Sequence, residues 1–389
     1  MNSKLLTEEV QAFLHENQST DFRKVSLMKS PFPDVSSAEL AQQIKGRQIA
    51  KQKFPFFLEN PNVVYPPSLN LEQASSWPTA LYKSKILKAK TLIDLTAGMG
   101  IDAYGFAQEF EEVTALERNP ELVEISKHNY QVLNQMNLHY VNCEFEEYFQ
   151  ENLNQKWDVI YLDPARRKDS QKKFILEDLE PNVLEWKDEF FKRADWVMIK
   201  LSPLLDLKLV TEQIPEVKEI HLVAVKNEVK ELLLICQKEL ANNPKIIAVN
   251  LESDQLDFEY QLEEENAAIA NFSEPKKYLY EPNVAVMKSG AFKLISDRFQ
   301  VYKLEKNTHL YTSNDLLESF PGKVFEVIQE VKNPKKEIKN GSYHVVSKNY
   351  PLSVELIRKK YNLKESETES LFFIESTIGK QILHCRRIR

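Results

Sequence analysis

The apolar positions divide the chain into stretches of different rhythm. Residues 7–17 and 37–53 carry apolar side chains at helical spacing, which predicts two amphipathic helices. The second opens with Ser36 and Glu39 at capping-box spacing and continues with Leu40, Ala41, Ile44 and Ile49. From residue 54 to 67, Pro55, Pro61, Pro66 and Pro67 predict an extended connector. From about residue 90, strand-like runs at 91–96, 112–117, 138–142, 157–163 and 195–201 alternate with helical segments near 100–109, 120–136, 144–150 and 177–192. Such alternation predicts a parallel sheet with helices on both faces.

After the fifth run the rhythm breaks. Runs at 220–226 and 231–236 lie four residues apart and predict a hairpin, so antiparallel strands end the sheet. Runs at 246–252 and 256–262 predict a second hairpin. The last 114 residues read as one or two small α+β modules. Strand-like runs at 284–287, 291–295 and 299–304 come first. Strands at 324–331 and 343–347, a helix at 353–361 capped by Ser353, and a hairpin of 371–376 with 381–385 follow. The expected domains are 1–75, 76–275, 276–319 and 320–389.

At 389 residues, 42% hydrophobic and 28% charged, the chain is globular and long enough for two or three domains. No apolar run reaches the roughly 18–20 residues of a membrane helix, and the start, MNSKLLTEEVQAFL, lacks a leader's apolar core. Cys143, Cys236 and Cys385 are scattered and odd in number, so neither a disulfide framework nor a metal site is expected. These features point to a soluble protein of a reducing cytoplasm, with no membrane or metal partner. The net charge of −7 is uneven: residues 276–389 carry +8 and the rest −15. A basic end suits an anionic partner such as RNA; a solvated basic face is the bland alternative.

The sharpest local signal is Ile93-Asp94-Leu95-Thr96-Ala97-Gly98-Met99-Gly100-Ile101-Asp102. A strand ends in an acid, a Gly-x-Gly turn follows, and a helix begins. Glycines there let backbone approach a ligand, beyond the carboxyl ends of the strands. A nicotinamide dinucleotide is one candidate, because Gly98, Gly100 and Ala103 fit its fingerprint and Glu117 follows at about the required distance of 20 residues. S-adenosylmethionine is the other. Asp94 would then lie near its ammonium, Glu117 would accept the ribose hydroxyls, and Glu144 would sit near the adenine amine. Asp94 favours this second ligand, since a carboxylate repels a pyrophosphate. A tight turn with no ligand remains the third reading.

The second signal is the run from Asp158 to Asp163 followed by Pro164, Ala165, Arg166 and Arg167. In a doubly wound sheet this strand lies beside the first, so Asp163 emerges next to the glycine turn. Asp163 and the Pro164 carbonyl are suited to accept N–H bonds from an exocyclic amine and orient its lone pair. Arg166 and Arg167 suit a phosphate or a base face; pairing with surface acids is the plain alternative. Lys200 and Ser202 end the fifth strand on the same rim. The Asp-Pro motif itself holds no cysteine, which disfavours covalent attack on a pyrimidine.

At these residues the chain resembles class I S-adenosylmethionine-dependent methyltransferases, with Thr96 in place of a usual small residue. The pieces DLTAGMGIDA, LERNP and VIYLDP are similar to those of bacterial 16S ribosomal RNA guanine-N2 methyltransferases. Arg166 stands where amine methyltransferases often carry an aromatic residue. Over most of its length, the chain resembles a bacterial methyltransferase family with a ferredoxin-like module and a THUMP-like C-terminal domain. SLNLEQASSWPTALYK, DPARR, KLSPLLD, YLYEPNVAVMKSGAF and FPGKVFEV carry that likeness.

The resemblance implies an α/β fold with a Rossmann-like methyltransferase sheet, an N-terminal helical region and small C-terminal α+β modules. It implies S-adenosylmethionine as cofactor and RNA (tRNA or rRNA) as partner. Asp94, Thr96, Ala97, Gly98, Gly100, Asp102, Glu117, Arg118, Glu144 and Asp163 are the expected cofactor residues, Asp163 being also catalytic. Pro164, Arg166, Arg167, Lys200 and Ser202 are expected toward substrate, and Arg358, Lys359 and Lys360 toward RNA phosphates. Gln73, Ser75, Ser76 and Thr79 precede the first strand, where the chain often covers the cofactor. A non-catalytic RNA-binding factor and a small-molecule methyltransferase are the alternatives.

Overall fold

A computed structural model describes residues 1–166 and 176–389, so Arg167 lies outside the described residues. Two compact units emerge: residues 1–217 with 233–241, and residues 218–232 with 242–389.

The first unit opens with helices α1 (Glu8–Glu16), α2 (Phe22–Leu27) and α3 (Ser37–Lys53). They close over a core of Leu5, Val10, Leu14, Val25, Leu40 and Ile44. The capping box at Ser36 forms in full: Glu39 N donates to Ser36 Oγ and Ser36 N to Glu39 Oε2. The connector is less extended than its prolines predict. Residues Pro55–Glu59 wind into a short 3₁₀ turn, because Phe54 and Phe57 are both drawn completely inside. Helices α4 (Ser68–Gln73) and α5 (Trp77–Ser84) follow.

The sheet contains β1 (Thr91–Asp94), β2 (Glu112–Glu117), β3 (Leu138–Asn142), β4 (Trp157–Leu162) and, after a separate two-residue pair of β5 (Ala165–Arg166) with β6 (Leu179–Glu180), β7 (Ala194–Leu201). The main strands run parallel in the order β7-β4-β1-β2-β3. They alternate with α6 (Ile101–Phe106), α7 (Pro120–Val132), α8 (Phe145–Glu151) and α9 (Val183–Arg193); α10 (Leu207–Gln213) follows β7. Strand order reverses between β1 and β4, the switch point at which an open α/β sheet opens a crevice. Asp94 pairs with Tyr161 across that point, so the residues just past each strand meet there.

The expected first hairpin forms from β8 (Val217–Val225) and β9 (Glu228–Gln237), with a two-residue turn rather than four. Lys226 and Asn227 both hold positive φ, 50° and 64°, the conformation of a tight primed turn. Residues 228–232 of β9 belong to the second unit, while 233–237 belong to the first, beside β7. Strand β10 (Lys245–Leu251) runs parallel to β8 and pairs antiparallel with β11 (Phe258–Gln261), as the second expected hairpin requires.

The rest of the second unit contains α11 (Leu262–Ala267), β12 (Tyr278–Pro282), α12 (Val284–Ser289), α13 (Phe292–Arg298), β13 (Tyr302–Lys303) and β14 (Tyr311–Ser313). Then come β15 (Gly322–Glu330), α14 (Pro334–Glu337), β16 (His344–Lys348), α15 (Val354–Tyr361), β17 (Glu369–Ser376) and β18 (Gly379–Arg387). The strands β12 to β18 share one seven-stranded sheet, in which only β16 and β17 pair in parallel.

Two runs expected as strands, 284–287 and 291–295, are instead helices α12 and α13. The Asn283 side chain caps α12 by accepting from Val286 N, and Gly290 ends it at φ 80°. Apolar runs this short fit either period, and the capping residues decide. Of the run 299–304, only Tyr302–Lys303 pairs.

Candidate active site

The switch point of the first unit opens a cleft of about 1170 Å³ lined by the turn after β1, the ends of β2, β4 and β7, and the approach to α5. Asp94, Thr96, Ala97, Gly98, Gly100, Asp102, Glu117, Arg118, Glu144, Asp163, Pro164, Arg166 and Lys200 all line it. Ser202 does not; its hydroxyl accepts from Leu204 N in the turn after β7. Arg358, Lys359 and Lys360 lie in the second unit on α15, where Arg358 pairs with Glu365 and donates to the Tyr343 carbonyl.

The glycine turn is built by its neighbours. Gly98 and Gly100 hold φ of 55° and 81°, values that cost other residues roughly 1–2 kcal/mol. A Cβ on Gly98 would meet no protein atom within 4 Å and would project into open space. One on Gly100 would fall 1.8 Å from the Tyr140 hydroxyl. Tyr130 OH donates to the Met99 carbonyl at 2.8 Å, fixing the turn from behind.

Thr96, the departure from the usual small residue, ties the two strand ends together. Its backbone N–H donates to Asp94 Oδ1 at 2.9 Å, and its hydroxyl accepts from Asp163 N at 2.7 Å. Glu117 ends β2 and accepts from Asn119 N at 2.8 Å. Arg118 is exposed and lies 3.7 Å from both Glu144 and Glu180.

Two carboxylates behave in opposite ways. Asp94 is completely buried, and burial, with Asp102 and Asp163 nearby, raises its pKa well above the ordinary range despite the Thr96 bond. Burial opposes ionisation of Asp102 too. Lys83, Lys200, Tyr161 and Ser75 overcome it and hold Asp102 at about 2. Its Oδ2 accepts from Tyr161 OH at 2.7 Å and Ser75 Oγ at 2.8 Å, while Lys83 Nζ faces Oδ1 at 3.2 Å. Lys200 completes the network: its Nζ donates to Asp163 Oδ2 at 2.5 Å and to Ser75 Oγ at 3.1 Å, and lies 3.6 Å from Asp102 Oδ2.

Sequence reasoning missed Lys83, Tyr130, Tyr140 and Tyr161. Lys83 is fully buried yet sits in KSKILKAK, which reads as a solvated run. The signal lay in helical spacing, since Lys83 falls on the same face of α5 as Thr79 and Ala80, both buried. Among the described residues, no group of His, Cys, Asp and Glu could hold a metal ion, and no helix is long and apolar enough to cross a membrane.

An acid-ended β1, a glycine turn with Gly98 open to the crevice and an acid-ended β2 fit a ligand with an ammonium and a ribose. A buried carboxylate poised to ionise beside a cation fits better than one facing a pyrophosphate. The fold and site thus define an S-adenosylmethionine-dependent methyltransferase. Residues 89–193 match the family model described as RNA cap guanine-N2 methyltransferase, residues 278–321 a ferredoxin-like domain, and residues 322–387 a THUMP domain-like family. The chain is similar to a Mycobacterium tuberculosis (strain H37Rv) protein named an uncharacterised S-adenosylmethionine-dependent methyltransferase. They share 19% identity over 303 residues, 76% of this chain and 80% of the relative. Its counterpart in strain CDC 1551 matches equally. A solved structure from Porphyromonas gingivalis W83, provisionally named a methyltransferase, superposes with a TM-score of 0.89 at 27% identity, covering 100% of both chains.

Proposed function

We propose that the chain methylates a structured RNA, tRNA or rRNA, with S-adenosylmethionine as donor. The observation that carries this reading is one chain with a methyl-donor cleft and a THUMP-like domain whose helix α15 ends in Arg358, Lys359 and Lys360. The RNA cap methyltransferase likeness of residues 89–193 supports the same substrate class.

When bound, S-adenosylmethionine supplies a methyl group on a sulfonium. Asp94 and the glycine turn would hold its amino-acid end, Glu117 its ribose and Glu144 the adenine side. Asp163 and Lys200 would then stand where the methyl leaves, and Arg166 would meet a phosphate at the mouth. A base amine is the acceptor that the Asp-Pro pair suggests, with Asp163 and the Pro164 carbonyl taking its two N–H bonds. The Lys200 ammonium already on Asp163 weighs against that acceptor.

The test is incubation of the full chain with tritiated S-adenosylmethionine and total RNA from cells lacking its gene, read after size separation. Label in one RNA band is expected, and Asp163→Ala, still folded and cofactor-bound, should lose it. Cofactor binding without label in any RNA would overturn the RNA reading.

A further inference from the structure

We infer that the methylated atom is an oxygen, a ribose 2′-hydroxyl, and that Lys200 takes its proton. This rests on the RNA reading above and names the acceptor within it.

An exocyclic amine presents two N–H donors and a lone pair drawn into the ring. Its site needs acceptors and no cation among them. Here Asp163, the one carboxylate at the end of β4, receives the Lys200 Nζ at 2.5 Å. An incoming amine would face another donor. A hydroxyl has the complementary inventory: lone pairs that accept from a nitrogen, and one proton that needs an acceptor. The Lys200–Asp163 pair offers both in one place.

The surroundings also suit a sugar better than a base. A base drawn into a pocket is normally stacked on a ring. Among the described residues, the cleft's aromatic lining side chains are Phe145 and Tyr161, both buried. Past Asp163 come Pro164, Ala165 and an exposed Arg166, which suits a phosphate flanking a ribose. The RNA cap guanine-N2 likeness spans Asp163 and Pro164 and by itself favours an amine, but it ends at residue 193, before Lys200, the residue that separates the two acceptors here.

Lys200 lies 2.5 Å from Asp163 and 3.6 Å from Asp102, so its resting form is the ammonium. Lys83, fully buried, pairs with Asp102 Oδ1 at 3.2 Å and takes up part of that carboxylate's charge. Lys200 gives its proton to water before it acts, a loss that the positive sulfonium of a bound donor would favour. An amine of pKa about 10 matches an alcohol better than a carboxylate of about 4 does. In the transfer the ribose oxygen forms a bond to the methyl carbon. The carbon–sulfur bond breaks and its electron pair stays on sulfur, leaving S-adenosylhomocysteine. The hydroxyl proton moves to the neutral Lys200 amine, which becomes an ammonium and later releases the proton to water. Asp163 orients the hydroxyl and Ser75 holds Lys200 in place.

Alkali separates the two acceptors. Cleavage of RNA by base uses the free 2′-hydroxyl, so a methylated one protects its own phosphodiester bond. RNA labelled by the full chain with tritiated S-adenosylmethionine is digested to completion in alkali and sized. Label in dinucleotides is expected. Label in mononucleotides would overturn the hydroxyl inference and leave the RNA reading standing; RNA without label would overturn both. Lys200→Arg keeps the charge and cannot serve as a base. It should lower turnover about 100-fold or more while S-adenosylhomocysteine binding and thermal unfolding stay near those of the parent. A Lys200→Arg variant with parent turnover would sink the role of Lys200 as base.

Discussion

Gly98 and Gly100 stand two residues apart in one turn, yet alanine should fail at them for different reasons. At Gly100 the new Cβ would fall 1.8 Å from the Tyr140 hydroxyl, 2.9 Å from Tyr140 Cζ and 3.0 Å from Tyr130. Tyr140 cannot swing aside, because it is buried and stacked on Tyr130 with centroids 6.0 Å apart. The left-handed backbone costs about 1–2 kcal/mol and overpacking about 1–3 more, so Gly100→Ala should lose about 2–5 kcal/mol. At Gly98 the backbone term acts alone, and the methyl group enters the cleft instead. Gly98→Ala should therefore remain mostly stable and lose cofactor affinity. All four tryptophans, Trp77, Trp157, Trp186 and Trp196, lie in the first unit, so a melt followed by their fluorescence reports on that unit. At roughly 2–4 °C per kcal/mol, Gly100→Ala should lower the midpoint by about 4–20 °C and Gly98→Ala by about 2–8 °C. Tyr140→Phe removes the nearest atom, so in a double-mutant cycle it should recover part of the Gly100→Ala loss. Equal melts for the two alanine variants, or strict additivity with Tyr140→Phe, would refute the steric account.

Lys83→Met leaves Asp102 buried with one cation fewer and should cost about 3–5 kcal/mol, partly restored by Asp102→Asn in the same chain; unchanged melting would show the pair to be dispensable. Asp94 holds its proton more tightly folded than unfolded, so its contribution to stability declines as pH rises from the ordinary carboxylate range through its raised pKa. Asp94→Asn should thus melt higher than the parent at pH 7.5 while binding S-adenosylhomocysteine more weakly; a lower melt would contradict the burial cost. Asp102, held at about 2, behaves oppositely: its stabilisation is full above pH 4 and lost as pH falls toward 2, a loss that Asp102→Asn should lack in acid titrations. Lys359→Glu with Lys360→Glu should weaken RNA binding and shallow its salt dependence by about 0.7–0.9 in log–log slope per lost contact; an unaltered slope would place the RNA elsewhere.

The sheet and its turn were legible because period and punctuation agree there. Runs 112–117 and 138–142 form strands with those bounds, and Asp94, Gly98, Gly100 and Glu117 reach one cleft because strand order alone brings them together. Lys83 was not legible as a site residue, since its importance comes from Asp102, 19 positions away and folded against it. Lys200 could be placed on the rim, but not on Asp163, because side-chain reach decides that contact. Residues 284–298 were misread because four or five apolar residues fill a strand or one helical turn equally well, and Asn283 and Gly290 settle the matter by capping.

Strand β9 gives its first half to one unit and its second half to the other. Synthesis proceeds from the amino terminus, and the first unit takes its last residues from 233–241. When residue 241 clears the ribosome, the second unit has only residues 218–232, while the first has its whole sequence. At roughly 5–20 residues per second, residues 242–321 take about 4–16 s more to emerge. During that interval the nascent chain can close its cleft and take up cofactor before any THUMP-like residue emerges.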